Sequence, residues 1–398
     1  MPRLYIKGIG LMVGMIVGAG MFGLPYAFSK AGLFWGNFQL VVSFLIILLL
    51  HLWYGEVSYY TKGVHRITGY TRMYLGKKAE KLAFITTLGA AYGSLLVYGL
   101  LGGIFLGNFF DLFNGRTDEF FSIFFFIVGG VLASLSLSKI GEINFILTVP
   151  VFGFIAYLLY VAAPEIRLDN FFNGTPYLLN KNWLLPYGVW LFSLSGFSVI
   201  PAVRDIFSGQ PISKYKKVII VSLFLAAFFY LIFVAAVLGV NGGMVSQDAL
   251  SGMVSVLGGK ALAIGSIIGF FAVFTSYIAL AIDVKNIFMY DYKMPQFAAL
   301  LAAAVPPVIL YYIGREGGLV MMLSIIGSLG MGALGIFITL IRRKMVKILK
   351  DGDKSDLIAE IDYKKIKLRR GWEMAVLAGI IAAVAYNIWD IVAGFAGK

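Results

Sequence analysis

Apolar residues along this chain run in long blocks instead of alternating with polar ones. The blocks fall at about 8–33, 36–60, 82–110, 119–138, 142–163, 183–203, 217–240, 261–290, 296–313, 318–341 and 372–396. Roughly 20 apolar residues in helical form cross a hydrocarbon core, and a helix satisfies its own backbone polar groups where lipid cannot. The pattern therefore predicts an all-α polytopic membrane protein with 11 transmembrane helices. The opening Met1-Pro2-Arg3 leads into a span too long for a secretory signal, so the first span reads as retained.

Two of these blocks are interrupted in the same way. The first holds Val17-Gly18-Ala19-Gly20-Met21-Phe22-Gly23-Leu24-Pro25, and the sixth holds Phe192-Ser193-Leu194-Ser195-Gly196-Phe197-Ser198-Val199-Ile200-Pro201. In each, Gly precedes Pro by five positions, and small residues followed by a helix-breaking ring favour an unwound segment. If spans alternate direction, the first and sixth run oppositely. Matched interruptions of opposite polarity are expected of a five-plus-five inverted repeat, with a substrate site where they meet. The expected division is residues 1–163 (spans 1–5), residues 183–341 (spans 6–10), a basic cytoplasmic loop at 342–370, and an additional helix within 371–398.

Composition agrees with lipid: 60% of residues are hydrophobic, 13% are charged, and mean hydropathy is +0.88. With the N-terminus inside, 26 Lys and Arg residues fall on the cytoplasmic side and 7 on the other, which predicts a cell membrane protein with N-terminus cytoplasmic and C-terminus outside. The net charge of +13 thereby reads as topology and not as a nucleic-acid footprint. With no cysteine and only His51 and His65 as imidazoles, disulfides, thiolate chemistry and a transition-metal site are not expected. No carboxylate pair, triad or metal motif points to an enzyme.

Each break creates a half-helix N-terminus with free N–H groups and a half-helix C-terminus with free carbonyls. The N–H groups of Ala19, Gly20 and Met21 suit a carboxylate; the carbonyls of Ile16, Phe192, Ser193 and Ser195 suit an ammonium group or a small cation. A molecule that carries both charges on neighbouring atoms is an amino acid. A pocket lined by Phe22, Phe192, Phe197 and Tyr92 has no fixed charge, which favours neutral, fairly apolar substrates. Tyr92 and Tyr98 are candidate aromatic lids.

The stretch from Gly14 to Gly32, the break from Phe192 to Phe197, and Thr275-Ser276 in the eighth span resemble the amino acid-polyamine-cation superfamily with the LeuT fold. Within it the chain is similar to the amino acid/auxin permeases, which include sodium-coupled neutral amino acid transporters, and to the hydroxy and aromatic amino acid permeases. The likeness covers spans 1–10. It implies discontinuous helices 1 and 6, one additional C-terminal helix, and alternating access in which spans 1, 2, 6 and 7 move against 3, 4, 8 and 9. It implies a substrate site from Val17 through Gly18 to Phe22 and from Phe192 through Gly196 to Phe197. It also implies sodium, the one coupling ion expected and no other cofactor, held by the carbonyls of Gly14, Val17 and Ala272 with the hydroxyls of Thr275 and Ser276.

Proton coupling is the alternative, through Glu56 with His51 in the second span, because ionisable groups inside a membrane are functional candidates. A Lys in the fifth span marks some proton-driven relatives, and 142–163 contains none. Asp283 and Lys285 depart from the permease pattern; pairing with Arg204 and Asp205 as a cytoplasmic gate is one reading, and a place in the headgroup layer is the other. A non-transporting amino acid sensor is the remaining alternative. The partners expected are an amino acid, sodium or a proton, and membrane lipid.

Overall fold

The computed structural model describes residues 2–110, 118–172, 180–314, 318–350 and 370–396; the part of the basic stretch from 351 to 369 lies outside them. Among the described residues there is helix and no strand. The helices are α1 (Pro2–Ile16), α2 (Ala19–Tyr60), α3 (Ile67–Leu75), α4 (Lys77–Phe110), α5 (Asp118–Leu132), α6 (Leu137–Ala162), α7 (Leu185–Ser193), α8 (Ile200–Ile206), α9 (Ile212–Asn241), α10 (Val254–Asn286), α11 (Gln296–Gly314), α12 (Leu319–Ile325), α13 (Gly332–Lys350) and α14 (Arg370–Ala396). Each of the eleven apolar blocks is mainly helical. Eight helical stretches are long and apolar enough to cross a membrane, and shorter apolar helices lie at Glu119–Leu132 and Gly371–Ala385.

Both predicted breaks are present. The first lies between α1 and α2, the second between α7 and α8. The chain then turns sharply at Gly32, where φ of 84° and ψ of 162° are open to a residue without Cβ. α2 thus joins the second half of the first span to the whole of the second. A π-helical turn over Ile326–Met331 divides α12 from α13, an interruption that the hydrophobic pattern does not reveal. α1 packs against α6, α9 and α10, α7 against α2, and α4 along α10.

Two further features depart from the expected loops. The 61–81 segment contains α3, whose N-terminus is capped from a distance: the Asp291 carboxylate accepts from Thr68 Oγ1 (2.5 Å), the Gly69 N–H (2.8 Å) and the Arg66 N–H (3.2 Å). It satisfies donors that a local Ser or Asp would normally take. The basic stretch from Arg342 is not a solvated loop at its start, because α13 continues to Lys350 and Arg342 is buried. Arg342 reaches Glu56 at 2.6 Å and Glu373 at 2.8 Å, while Lys216 lies 2.5 Å from Glu56. This network ties α2, α9, α13 and α14 together at the basic end of the molecule. Buried charges persist only when so paired.

Candidate functional site at the two broken helices

α1 ends at Ile16 and α2 resumes at Ala19, leaving Val17 and Gly18 outside helix. α7 ends at Ser193 and α8 resumes at Ile200, with a 3₁₀ turn at Phe197–Val199 between. The two breaks touch. A Cβ added to Gly20 would lie 2.5 Å from the Cα of Ser193, so only a hydrogen fits between the two backbones.

Side chains from neighbouring spans complete the interrupted backbones. The hydroxyl of Tyr230, in α9, lies 2.6 Å from the Ile16 carbonyl and 3.1 Å from the Ser193 carbonyl. One O–H therefore serves the C-terminal ends of both half-helices. Two of the four carbonyls expected to face an ammonium group or a small cation, those of Ile16 and Ser193, are thus engaged by a tyrosine. On α2, His51 Nε2 accepts the Gly196 N–H at 2.9 Å, and Nδ1 is 2.8 Å from the Ile47 carbonyl. Accepting at Nε2 requires the proton on Nδ1, a neutral ring. Phe197 stacks on that ring with centroids 4.1 Å apart. Neither Tyr230 nor the role of His51 is legible in the sequence; a hydroxyl in the middle of an apolar span is the one signal for Tyr230.

A cavity of about 60 Å³ opens beside the breaks, on the side of the basic end, with Met15, Tyr98, Phe192, Ser195, Phe197 and Met331 among its lining. The predicted residues Phe192, Ser195 and Phe197 thus come together with Tyr98. Ile16, Val17, Gly18, Ala19, Gly20 and Met21 are buried beside it in the contact between the breaks. Tyr98 and Ser276 lie against Gly18. Phe22 turns elsewhere, to Phe105 and Phe233 at centroid distances of 4.7 and 5.8 Å. Tyr92 also faces away: its hydroxyl donates to the Ala302 carbonyl of α11 at 2.6 Å. Six positions along a helix put Tyr92 and Tyr98 on different faces.

The proposed cation ligands converge on Ser276. Its Oγ is 3.1 Å from the Gly14 carbonyl, 3.3 Å from that of Met15 and 3.1 Å from that of Ala272, and Thr275 Oγ1 is 3.1 Å from the Ala272 carbonyl. The second α1 carbonyl within reach of Ser276 Oγ is that of Met15, which the expected set did not include. With the Tyr98 hydroxyl also bonded to Ser276, oxygen atoms from α1, α4 and α10 gather at this point.

His51 and Glu56 do not meet; Glu56 belongs to the Arg342 network. Asp283 pairs with Arg66 at 2.8 Å, not with Arg204, which takes its neighbour Asp205 at 2.9 Å. Lys285 donates to the carbonyls of Ala133 (2.7 Å) and Leu135 (2.9 Å) beyond the end of α5. The cavity beside the breaks ends at Asp283, and a second, of about 440 Å³, begins at Arg66. The ion pair is therefore part of the wall between them. At the rim of this end, burial lowers the affinity of the His65 imidazole for a proton against the opposing pull of Asp291.

Two opposed, interrupted helices that meet at mid-span within an all-helical membrane protein define a LeuT-fold transporter. Solved structures agree on that fold. The chain is similar to MhsT in complex with L-phenylalanine (TM-score 0.68, 16% identity, 96% of this chain and 97% of that one covered). It is also similar to MHP1, a nucleobase-cation-symport-1 family transporter, in a closed conformation with bromovinylhydantoin bound (TM-score 0.66, 12% identity, 84% and 77% covered). Among curated proteins, none matches. Residues 2–350 match the model of the tryptophan/tyrosine permease family, and the chain belongs to that family. It is an amino acid transporter of multi-pass membrane topology.

Proposed function

We propose that the protein imports an aromatic amino acid by alternating access, with its basic end in the cytoplasm. The observation that carries this reading is the division of hydrogen bonds around the breaks. Tyr230 and His51 link spans 1, 2, 6 and 7 only to one another, so these four helices can move as one body. Ser276 to Gly14 and Arg66 to Asp283 instead connect that body or its flanking loop to α10. The internal bonds persist through a rocking motion, and the crossing ones exchange. The substrate is held with its carboxylate towards the start of α2 at Ala19 and Gly20, where the first N–H groups have no intrahelical acceptor, and with its ring in the cavity lined by Tyr98, Phe192 and Phe197.

Sodium is the coupling ion on this reading, bound where Gly14, Met15, Ala272, Thr275 and Ser276 crowd oxygen atoms together. Sodium favours several neutral oxygens, and these carbonyls and hydroxyls are neutral. A proton-coupled reading has its own support in His51: a second proton on that ring would have to displace the Gly196 N–H, which would couple protonation to the second break.

Purified protein in proteoliposomes separates the possibilities. Uptake of labelled tryptophan or tyrosine should rise with an inward sodium gradient imposed at constant pH. Uptake driven by a pH gradient alone, without sodium, would transfer the coupling to the proton and leave the substrate site standing. No uptake of any aromatic amino acid under either gradient would remove the transport reading.

A further inference from the structure

The second cavity, of about 440 Å³, lies at the basic end, on the far side of the Arg66–Asp283 pair from the breaks. Leu11 of α1 and Ala202 and Ile206 of α8 line one side of it, and Lys285 of α10 lines another. Its lining includes the exposed residues Ser134, Ser136 and Gln296, so it opens to the outside of the protein at this end. Helices of the first and sixth spans thus share this space with the eighth.

Three charged side chains line the cavity: Arg66, Asp205 and Lys285. Two of them are balanced, Arg66 by Asp283 at 2.8 Å and Asp205 by Arg204 at 2.9 Å. Lys285 has no such partner. Its side chain is buried, and its ammonium group donates to the carbonyls of Ala133 (2.7 Å), Ser134 (3.3 Å) and Leu135 (2.9 Å); among the described residues no carboxylate pairs with it. Three carbonyls occupy its three donors, but they are neutral, and even a helix C-terminus carries only about half a negative charge. A buried cation without a counter-ion is costly, and here the charge borders a space large enough to hold one.

We propose that this cavity is a binding site for an apolar carboxylate that enters from the basic end, with its carboxylate at Lys285 and its body against Leu11, Ala202, Ile206 and Met289. An apolar wall with a few placed polar groups is the usual form of a small-molecule site. An amino acid is the poorer ligand here, because Asp205 and Asp283 are already engaged and no carboxylate is left to balance an ammonium group. The site thereby differs from the one at the breaks, where backbone N–H groups and carbonyls offer partners to both charges. The ligand lies between α1 and α8 on one side and α10 on the other, so it holds apart helices that approach one another in the rocking motion, and it slows uptake. This effect on uptake rests on the alternating access proposed above; binding does not.

The test is isothermal titration calorimetry of the purified protein with 3-phenylpropionate, a carboxylate without an ammonium group, and with phenethylamine, an ammonium group without a carboxylate. The acid should bind at least about tenfold more tightly than the amine, and saturating tryptophan should not displace it. Lys285→Gln should weaken the acid at least about tenfold, the scale of one charge-assisted hydrogen bond. Lys285→Arg should retain it, and Ala202→Phe, which fills the cavity and leaves Lys285 in place, should abolish it. In proteoliposomes, 3-phenylpropionate on both sides should lower the maximal rate of uptake without changing KM. Equal binding of acid and amine by the wild type, or displacement of the acid by tryptophan, would overturn the proposal even if no variant folds. Binding with an unchanged rate of uptake overturns the effect on transport. A protein that binds the acid yet takes up no aromatic amino acid keeps the site and removes the function proposed above.

Discussion

His51 Nε2 accepts the backbone N–H of Gly196 at 2.9 Å, so an imidazole on the second span completes a helix broken in the sixth. The ring is fully buried, and its other nitrogen is held at Ile47. An open segment of backbone within a membrane is tolerated only when protein groups or water satisfy it. His51→Ala should leave the Gly196 N–H bare, a cost of about 1–3 kcal/mol, and lower the thermal midpoint of the purified protein. A midpoint equal to that of the wild type would mean that this bond contributes nothing.

The contact of Gly20 with Ser193 predicts a ranking of glycine substitutions. A Cβ at Gly20 meets backbone, which cannot rotate away, whereas one at Gly196 meets Ile16 Cγ1 at 3.0 Å and His51 Nε2 at 3.3 Å. Gly20→Ala should therefore abolish uptake and destabilise by about 1–3 kcal/mol, as overpacking does; Gly196→Ala should retain partial uptake. The reverse order in parallel transport assays would contradict the close approach of the two breaks.

Tyr230→Phe removes one oxygen and leaves the Ile16 and Ser193 carbonyls without their shared donor. Shape is conserved, so expression and folding should persist. The KM for substrate should rise about tenfold, equivalent to about 1.4 kcal/mol, with a smaller change in the maximal rate. Tyr277→Phe serves as the control, because its hydroxyl is buried without a partner in the structure. Equal kinetics for the two variants would count against a special role for Tyr230.

Across the wall between the two cavities, Asp283→Asn should damage the protein more than the double variant Arg66→Gln with Asp283→Asn. Removing one partner strands a buried charge at a cost of about 3–5 kcal/mol, while removing both relieves it. Thermal stability of the wild type, the two single variants Arg66→Gln and Asp283→Asn, and the double variant measures the difference. Additive losses would show that the pair is not coupled.

At the convergence of Gly14, Met15 and Ala272, Ser276→Ala should weaken sodium stimulation of uptake at least about tenfold in sodium concentration, while substrate binding in saturating sodium is preserved. Stimulation with an unchanged sodium dependence would exclude this position as the ion site.

The membrane class, the eleven apolar blocks and both breaks were legible in one dimension, because lipid demands long apolar runs and Gly with Pro disfavours helix wherever they occur. Phe192, Ser195 and Phe197 were likewise identifiable as wall residues, since their place follows from the break itself. Tyr92 and Phe22 were not correctly oriented by the same reading. Aromatic residues occur throughout these spans, and which face of a helix looks inward depends on its neighbours. The ion pairs were less legible still: Arg66 with Asp283 and Glu56 with Arg342 join positions hundreds of residues apart.

By itself, then, the sequence determined where the helices run and where they fail, for these follow from local preference and hydrophobic length. Tertiary structure decided how the failures are made tolerable. Tyr230 and His51 reach the open backbone from other spans, and Lys285 meets the carbonyls beyond α5 only when α10 packs against that helix. Hydrogen bonding acts over about 3 Å, and only the packed chain brings these atoms within that range.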